Sequence, residues 1–140
     1  MTKRHLIILT VLLGISICML PQWFAKSHAC AVMLGRKVGR DQIVEFDGDA
    51  WSMMGNLVLI AKDRSDLWDF MSRKVTPLKN QVSLPINFQN LLHQLGNPPA
   101  YAYGTSALSI ENGLTNLSER AWIWYCPSQK LMCVQWWGDF

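Results

Sequence analysis

Charged residues are scarce in this chain of 140 residues. They make up 16% of it, against about 25% in an average soluble domain. Apolar residues reach 50%, whereas a disordered tail needs low hydrophobicity and high charge. Nine glycines and six prolines are too few for a collagen-like or linker-like chain. Histidine is scarcer still, with only His5, His28 and His93. Structural zinc takes four Cys/His ligands and catalytic zinc usually two or three histidines, so no metal site is expected. Glu45, Asp47 and Asp49 alternate around a turn. An EF-hand loop counted from Glu45 would need Gly where Ala50 stands and Glu where Asn56 stands. There is no GxSxG, no P-loop and no GxGxxG. No catalytic residue and no cofactor is assigned, and an enzyme is not expected.

The amino terminus carries an address. Lys3, Arg4 and His5 form a basic head, and residues 6–20 form an uncharged apolar run broken by Pro21. Two small-residue sites follow, Ser27-His28-Ala29 and Ala29-Cys30-Ala31. This order matches a secretory signal peptide over residues 1–31. The rival is an uncleaved anchor over residues 6–25, long enough to span a bilayer. Both leave Lys3 and Arg4 in the cytoplasm and export the remainder. The expected location is the periplasm, or the inner membrane with the carboxyl-terminal domain exported. A lipoprotein is disfavoured, because Ile17 precedes Cys18 and no Leu stands three positions before Cys30.

Thirteen basic residues against ten acidic give a net charge of +3 and a pI near 8.8. Lys3, Arg4 and Lys26 precede the cleavage sites, so the remainder is balanced. Nucleic-acid binding needs a basic face on the domain and is not expected. Arg36, Lys37 and Arg40 cluster, but Asp41, Glu45, Asp47 and Asp49 follow, as on a solvated surface segment.

Cysteines stand at 18, 30, 126 and 133. Exported chains meet an oxidising compartment, and Cys126 and Cys133 flank a turn-like Pro127-Ser128-Gln129-Lys130. A Cys126–Cys133 disulfide is expected, worth roughly 2–3 kcal/mol for so small a ring. Buried free thiols are the alternative.

Residues 42–46 read as a strand. Asp47-Gly48 marks a hairpin turn, with a weak return over 50–53. Residues 57–61 are a buried strand by their continuous apolar content. Ser65 is the expected N-cap of a helix over 66–75, with Asp66 and Asp69 in its first turn. A second helix over 88–95 takes Asn87 as cap, Ile86 packed on Leu91 as a staple, and Gly96 as its end. Its stripe of Phe88, Leu91, Leu92 and Leu95 faces the core, and His93 faces solvent. Residues 107–111 suit a strand, Asn112-Gly113 a type I′ turn, and Leu114 and Leu117 a return. Asn116-Leu117-Ser118 matches the N-glycosylation triplet.

Residues 121–126 and 131–137 form an aromatic hairpin. With Cys126 opposite Cys133, Tyr125 faces Val134, Trp124 faces Gln135, Ile123 faces Trp136 and Trp122 faces Trp137. Side chains alternate along each strand. Trp122, Trp124 and Trp137 share one face, and Ile123, Tyr125, Val134 and Trp136 share the other. A half-exposed hairpin should be polar on one face. Either this one is covered on both sides, or Trp122, Trp124, Tyr125, Trp136 and Trp137 include an open partner-binding surface.

The expected fold is α+β. A small antiparallel sheet of about four to six strands carries two short helices and follows an apolar amino-terminal helix. Residues 32–140 form one domain. The expected function is that of a small exported binding protein with a protein partner in the cell envelope. Size and address suit an inhibitor or immunity protein against a toxin or lytic enzyme. The alternative is a membrane-anchored accessory subunit of an envelope complex. An enzyme built on His93 with Asp66 or Asp69 ranks last.

Overall fold

The computed structural model describes residues 3–79, 82–104 and 121–138. The strand expected at 107–111, the Asn112-Gly113 turn, the return at Leu114 and Leu117, and the Asn116 triplet lie outside the described residues.

Among the described residues, six strands form one antiparallel sheet. They are β1 (Ile43–Asp47), β2 (Gly55–Lys62), β3 (Thr76–Pro77), β4 (Tyr101–Gly104), β5 (Ala121–Cys126) and β6 (Leu131–Gly138), in the spatial order β1-β2-β6-β5-β4-β3. The most apolar segments, β2, β6 and β5, are neighbours at the centre. A central strand buried on both faces reads as a continuous apolar run, which explains Leu57 to Ala61, all buried.

Three α-helices among the described residues cover this sheet: α1 (Lys3–Leu34), α2 (Leu67–Ser72) and α3 (Ile86–Gln94). One face packs Leu57, Leu59, Ile123, Tyr125, Met132 and Val134 against Leu67 and Met71 of α2 and against Ala29, Cys30, Val32, Met33 and Leu34 of α1. The other packs Val58, Ile60, Trp124, Cys126, Leu131 and Cys133 against Phe88 and Leu92 of α3. The α+β architecture is as expected, with one addition. The end of the segment read as a leader belongs to the core, where Ala29 and Cys30 are wholly buried.

The rest of α1 behaves differently. Residues 3–17 are exposed, although Leu6, Ile7, Ile8, Leu9, Val11 and Leu12 are among them. The helix has a mean hydropathy of 2.1 over its most apolar stretch and is long and apolar enough to cross a membrane. Residues 3–24 rise about 33 Å, close to the roughly 30 Å of a bilayer's hydrocarbon core.

Local chemistry departs from expectation at four places. The β1–β2 connection is longer than a two-residue hairpin, and its return starts at Gly55 rather than within 50–53. The Asp49 carboxylate accepts from the Trp51 and Ser52 amides at 2.9 and 3.4 Å and from the Ser52 hydroxyl at 2.7 Å. These local bonds hold a turn where a strand would otherwise form. Helix α2 is not capped by Ser65. Ser65 and Asp66 are left-handed, at φ 54° and 55°, and the Trp68 amide donates instead to Asp63 Oδ1 at 2.8 Å. Helix α3 starts at Ile86 behind Pro85, so Asn87 lies inside it and donates to Glu45 Oε1 at 2.6 Å. Ile86 is 65% exposed and staples nothing. The end at Gly96, with φ 90°, is as expected.

The fourth departure is the hairpin register. Trp124 pairs with Cys133, Ile123 with Val134, Trp122 with Gln135, and Cys126 with Leu131. The hairpin closes two residues tighter than a Cys126–Cys133 pair requires. Pro127 to Lys130 make a four-residue turn, and Lys130 at φ 49° supplies its left-handed residue. A shift of two keeps every side chain on its face, so the expected division of the aromatic residues holds. The two cysteines become diagonal neighbours, with Cα atoms roughly 7–8 Å apart by sheet geometry. A disulfide joins Cα atoms about 4.4–6.8 Å apart. Cys30, Cys126 and Cys133 are free and buried. Burial pushes the Cys133 thiol well above its usual range and Cys30 up to about 11.

Thiolate is the reactive form and Cys126 is wholly buried, so the native protein at pH 8 should leave Cys30, Cys126 and Cys133 unmodified by iodoacetamide. Unfolding without reductant should then expose four alkylatable cysteines by intact mass. A count of two would restore the Cys126–Cys133 bridge.

Candidate functional site

The aromatic residues singled out in the sequence divide between core and surface. Trp124 and Tyr125 are buried. The Trp124 indole N–H has no acceptor among the described residues, a cost of about 1–3 kcal/mol that its packing on the α3 side must offset. Trp136 is half-buried against the α1 side. Trp122 is 36% exposed and meets Trp137 edge-on at 5.0 Å and Trp124 at 6.2 Å.

The register shows what surrounds Trp122 and Trp137. Trp137 pairs with Asn56 and Gly138 with Gly55, so β6 ends where β2 begins. The loop before β2 carries Trp51, 67% exposed, and Met54, 51% exposed. Trp51, Met54, Trp122 and Trp137 therefore share one end of the sheet. Trp51 and Met54 were missed in the sequence. The available signal was two large apolar side chains in a loop opened by Asp47-Gly48-Asp49.

The other end holds a polar and aromatic cluster. The Asp63 amide donates to the Lys130 carbonyl at 2.7 Å, which ties the α2 approach to the β5–β6 turn. Trp68 stacks on Tyr125 at 4.1 Å and meets Tyr103 edge-on at 4.9 Å. The Tyr125 hydroxyl donates to Asp63 Oδ2 at 2.6 Å. Burial, and then the Asp63 carboxylate that takes this bond, hold the Tyr125 phenol well above the ordinary tyrosine range. An open depression of about 530 Å³ lies beside the cluster, lined by Asp63, Ser65, Asp66, Trp68, Asp69 and Lys130.

The charges here are largely spent on one another. Asp69 pairs with Arg73 at 2.6 Å, and Arg64, also at the rim, pairs with Asp41 at 2.6 Å. Asp63 is committed to Tyr125 and Trp68. Among the described residues no group of His, Cys, Asp and Glu is placed to hold a metal ion. His93 lies on α3, across the sheet from α2, so the arrangement does not bring it to Asp66 or Asp69. What the cluster does is structural: it fixes α2 to β5 through one carboxylate.

No family model matches the chain, and neither does any curated protein or solved structure.

Tyr125→Phe should cost about 1.5–3 kcal/mol, the worth of a hydrogen bond to a charged group, read as a lower denaturation midpoint. Because the folded phenol titrates above the unfolded one, its contribution is full below about pH 10 and falls as pH rises beyond that. The variant should therefore lose part of the wild type's alkaline sensitivity. Equal stability loss from pH 8 to 11 in both proteins would contradict the Asp63–Tyr125 bond.

Proposed function

We propose that the protein is a single-pass membrane protein of the cell envelope. Its domain stands on the bilayer surface and binds a protein partner through the end farthest from the membrane. The observation that carries this reading is the division of α1. Residues 3–17 are apolar and exposed, while Ala25, Ala29, Cys30, Val32, Met33 and Leu34 of the same helix are buried. Cleavage after Ala29 or Ala31 would remove buried side chains from the core, and unfilled core volume is destabilising. The anchored accessory subunit is therefore favoured over a released inhibitor or immunity protein.

The apolar part is also chemically suited to lipid. Hydroxyls there need partners inside the helix. Thr10 donates to the Leu6 carbonyl and Ser16 to the Leu12 carbonyl, each at 2.9 Å. Trp23 follows near the boundary, where tryptophan is favoured. In this reading the basic head Lys3 and Arg4 precedes the apolar stretch as in an export signal, with the domain exported.

Orientation of the domain supports the choice of docking end. Arg40 lies over the Trp23 ring at 4.8 Å, just before β1, whose first residue pairs with Ala61 near the end of β2. That end of the sheet adjoins the membrane. Trp51, Met54, Trp122 and Trp137 stand at the opposite end, about 26 Å away along the eight residues of β2. Trp is enriched among residues that dominate binding energy, and a patch held clear of the headgroups is reachable by another envelope protein. The partner is a protein, and no nucleic acid is involved.

The test uses photo-crosslinking residues placed at 51 and 122, with a control at 93, in the full chain in its producing cell. The expected result is an adduct of one defined mass at 51 and 122 and none at 93. The chain should retain its full-length mass and resist alkaline carbonate extraction. Release by carbonate, or a mass starting at Cys30 or Val32, would refute the anchor. Absence of adducts at 51 and 122 would refute the docking end.

A further inference from the structure

We propose that Lys26 and Arg40 form a binding site for the phosphate-bearing headgroup of an anionic phospholipid, at the point where α1 leaves the bilayer. The site rests on the reading that residues 3–24 lie in the membrane. Between residues 25 and 42 the chain carries Lys26, Arg36, Lys37 and Arg40 against the single acid Asp41. These cations have different fates. Arg36 lies over the Phe70 ring of α2 at 5.3 Å, beside Lys74 at 4.1 Å, which holds it at α2 rather than beside Trp23. Asp41, the residue that follows Arg40, is engaged by Arg64 at 2.6 Å. Lys26 and Arg40 are both exposed and enter no ion pair among the described residues.

Their position is what selects the ligand. Lys26 lies three residues after Trp23, so it projects from the same side of the helix one turn farther from the apolar stretch. Arg40 reaches the Trp23 ring from a different part of the chain, since residues 35–40 run back along α1. A cation–π contact holds a guanidinium while leaving its N–H donors available. Phe24, 67% exposed, points an apolar side chain out of the same turn. Two cations beside a half-buried Trp and an exposed Phe, where a membrane-length helix ends, match the layered chemistry of a phospholipid: acyl chain, then phosphate. The site depends only on where the apolar stretch ends, not on which compartment holds the domain.

The test is native mass spectrometry of the full-length chain, its intact mass verified, released from detergent micelles containing equal phosphatidylglycerol and phosphatidylcholine. The wild type should retain phosphatidylglycerol in clear excess over phosphatidylcholine. Lys26→Gln, which leaves the Arg40–Trp23 contact in place, should reduce that excess about fivefold, the effect of one basic residue near an anionic surface. Lys26→Gln with Arg40→Gln should bring it to the ratio supplied. Added inorganic phosphate should leave the wild-type excess unchanged. Equal retention of the two lipids by the wild type, an undiminished excess in the double variant, or displacement of lipid by phosphate would each overturn the proposal. The purified full chain carries residues 3–24 whatever becomes of them in the cell. A negative result here therefore refutes the lipid site and leaves the anchor to its own test.

Discussion

The structure depends on one helix that is part core and part exposed apolar surface. A lone α-helix that is apolar on every side has no stable place in water, because its exposed surface is what the hydrophobic effect removes. Helix α1 satisfies that constraint twice. Toward its end Ala29, Cys30, Val32, Met33 and Leu34 are buried against β2, β5 and β6, whereas residues 3–17 are exposed and, in the reading proposed above, are covered by a bilayer. It is one helix from Lys3 to Leu34, continuous from the exposed apolar stretch into the core. Where the apolar stretch ends, the domain begins.

Other features follow from that placement. A sheet whose central strands are apolar on both faces needs two covers. Helix α3 is one and α2 is part of the other, but α2 has only six residues. The end of α1 completes the second cover with Ala29, Cys30, Val32, Met33 and Leu34. Ala29 is small enough for the helix to approach the sheet closely. The Asp63 carboxylate then joins α2 to β5 through Trp68 and Tyr125. With both faces of the sheet covered, Trp51 and Trp122 remain exposed apolar side chains at the end where β2 begins.

Much of this was legible in the residues. The unbroken run at 57–61 read as a buried strand because β-branched and aliphatic side chains without alternation suit a central position. Gly96 marked the end of α3, and alternation along 121–126 and 131–137 sorted the tryptophans onto the two faces correctly. The parts that were not legible have separate causes. The extent of α1 into the domain was hidden by its small residues, since Ala29 and Ala31 look the same in a cleavage site and in a tight helix–sheet contact. The hairpin register was misjudged because two cysteines were given more weight than a four-residue turn closed by Lys130. The contact that starts α2 comes from Asp63, five residues before Trp68, beyond the reach of a local capping pattern. Trp51 and Met54 sit in a loop with no periodicity to mark them.

Hydrogen–deuterium exchange on the full-length chain in lipid nanodiscs tests the central claim most directly. If the end of α1 is part of the core, amides of residues 25–34 exchange only with global unfolding, at the same slow rate as those of β2. Fast exchange over residues 25–34 while β2 stays protected would show a domain that folds without the helix, and would contradict the account.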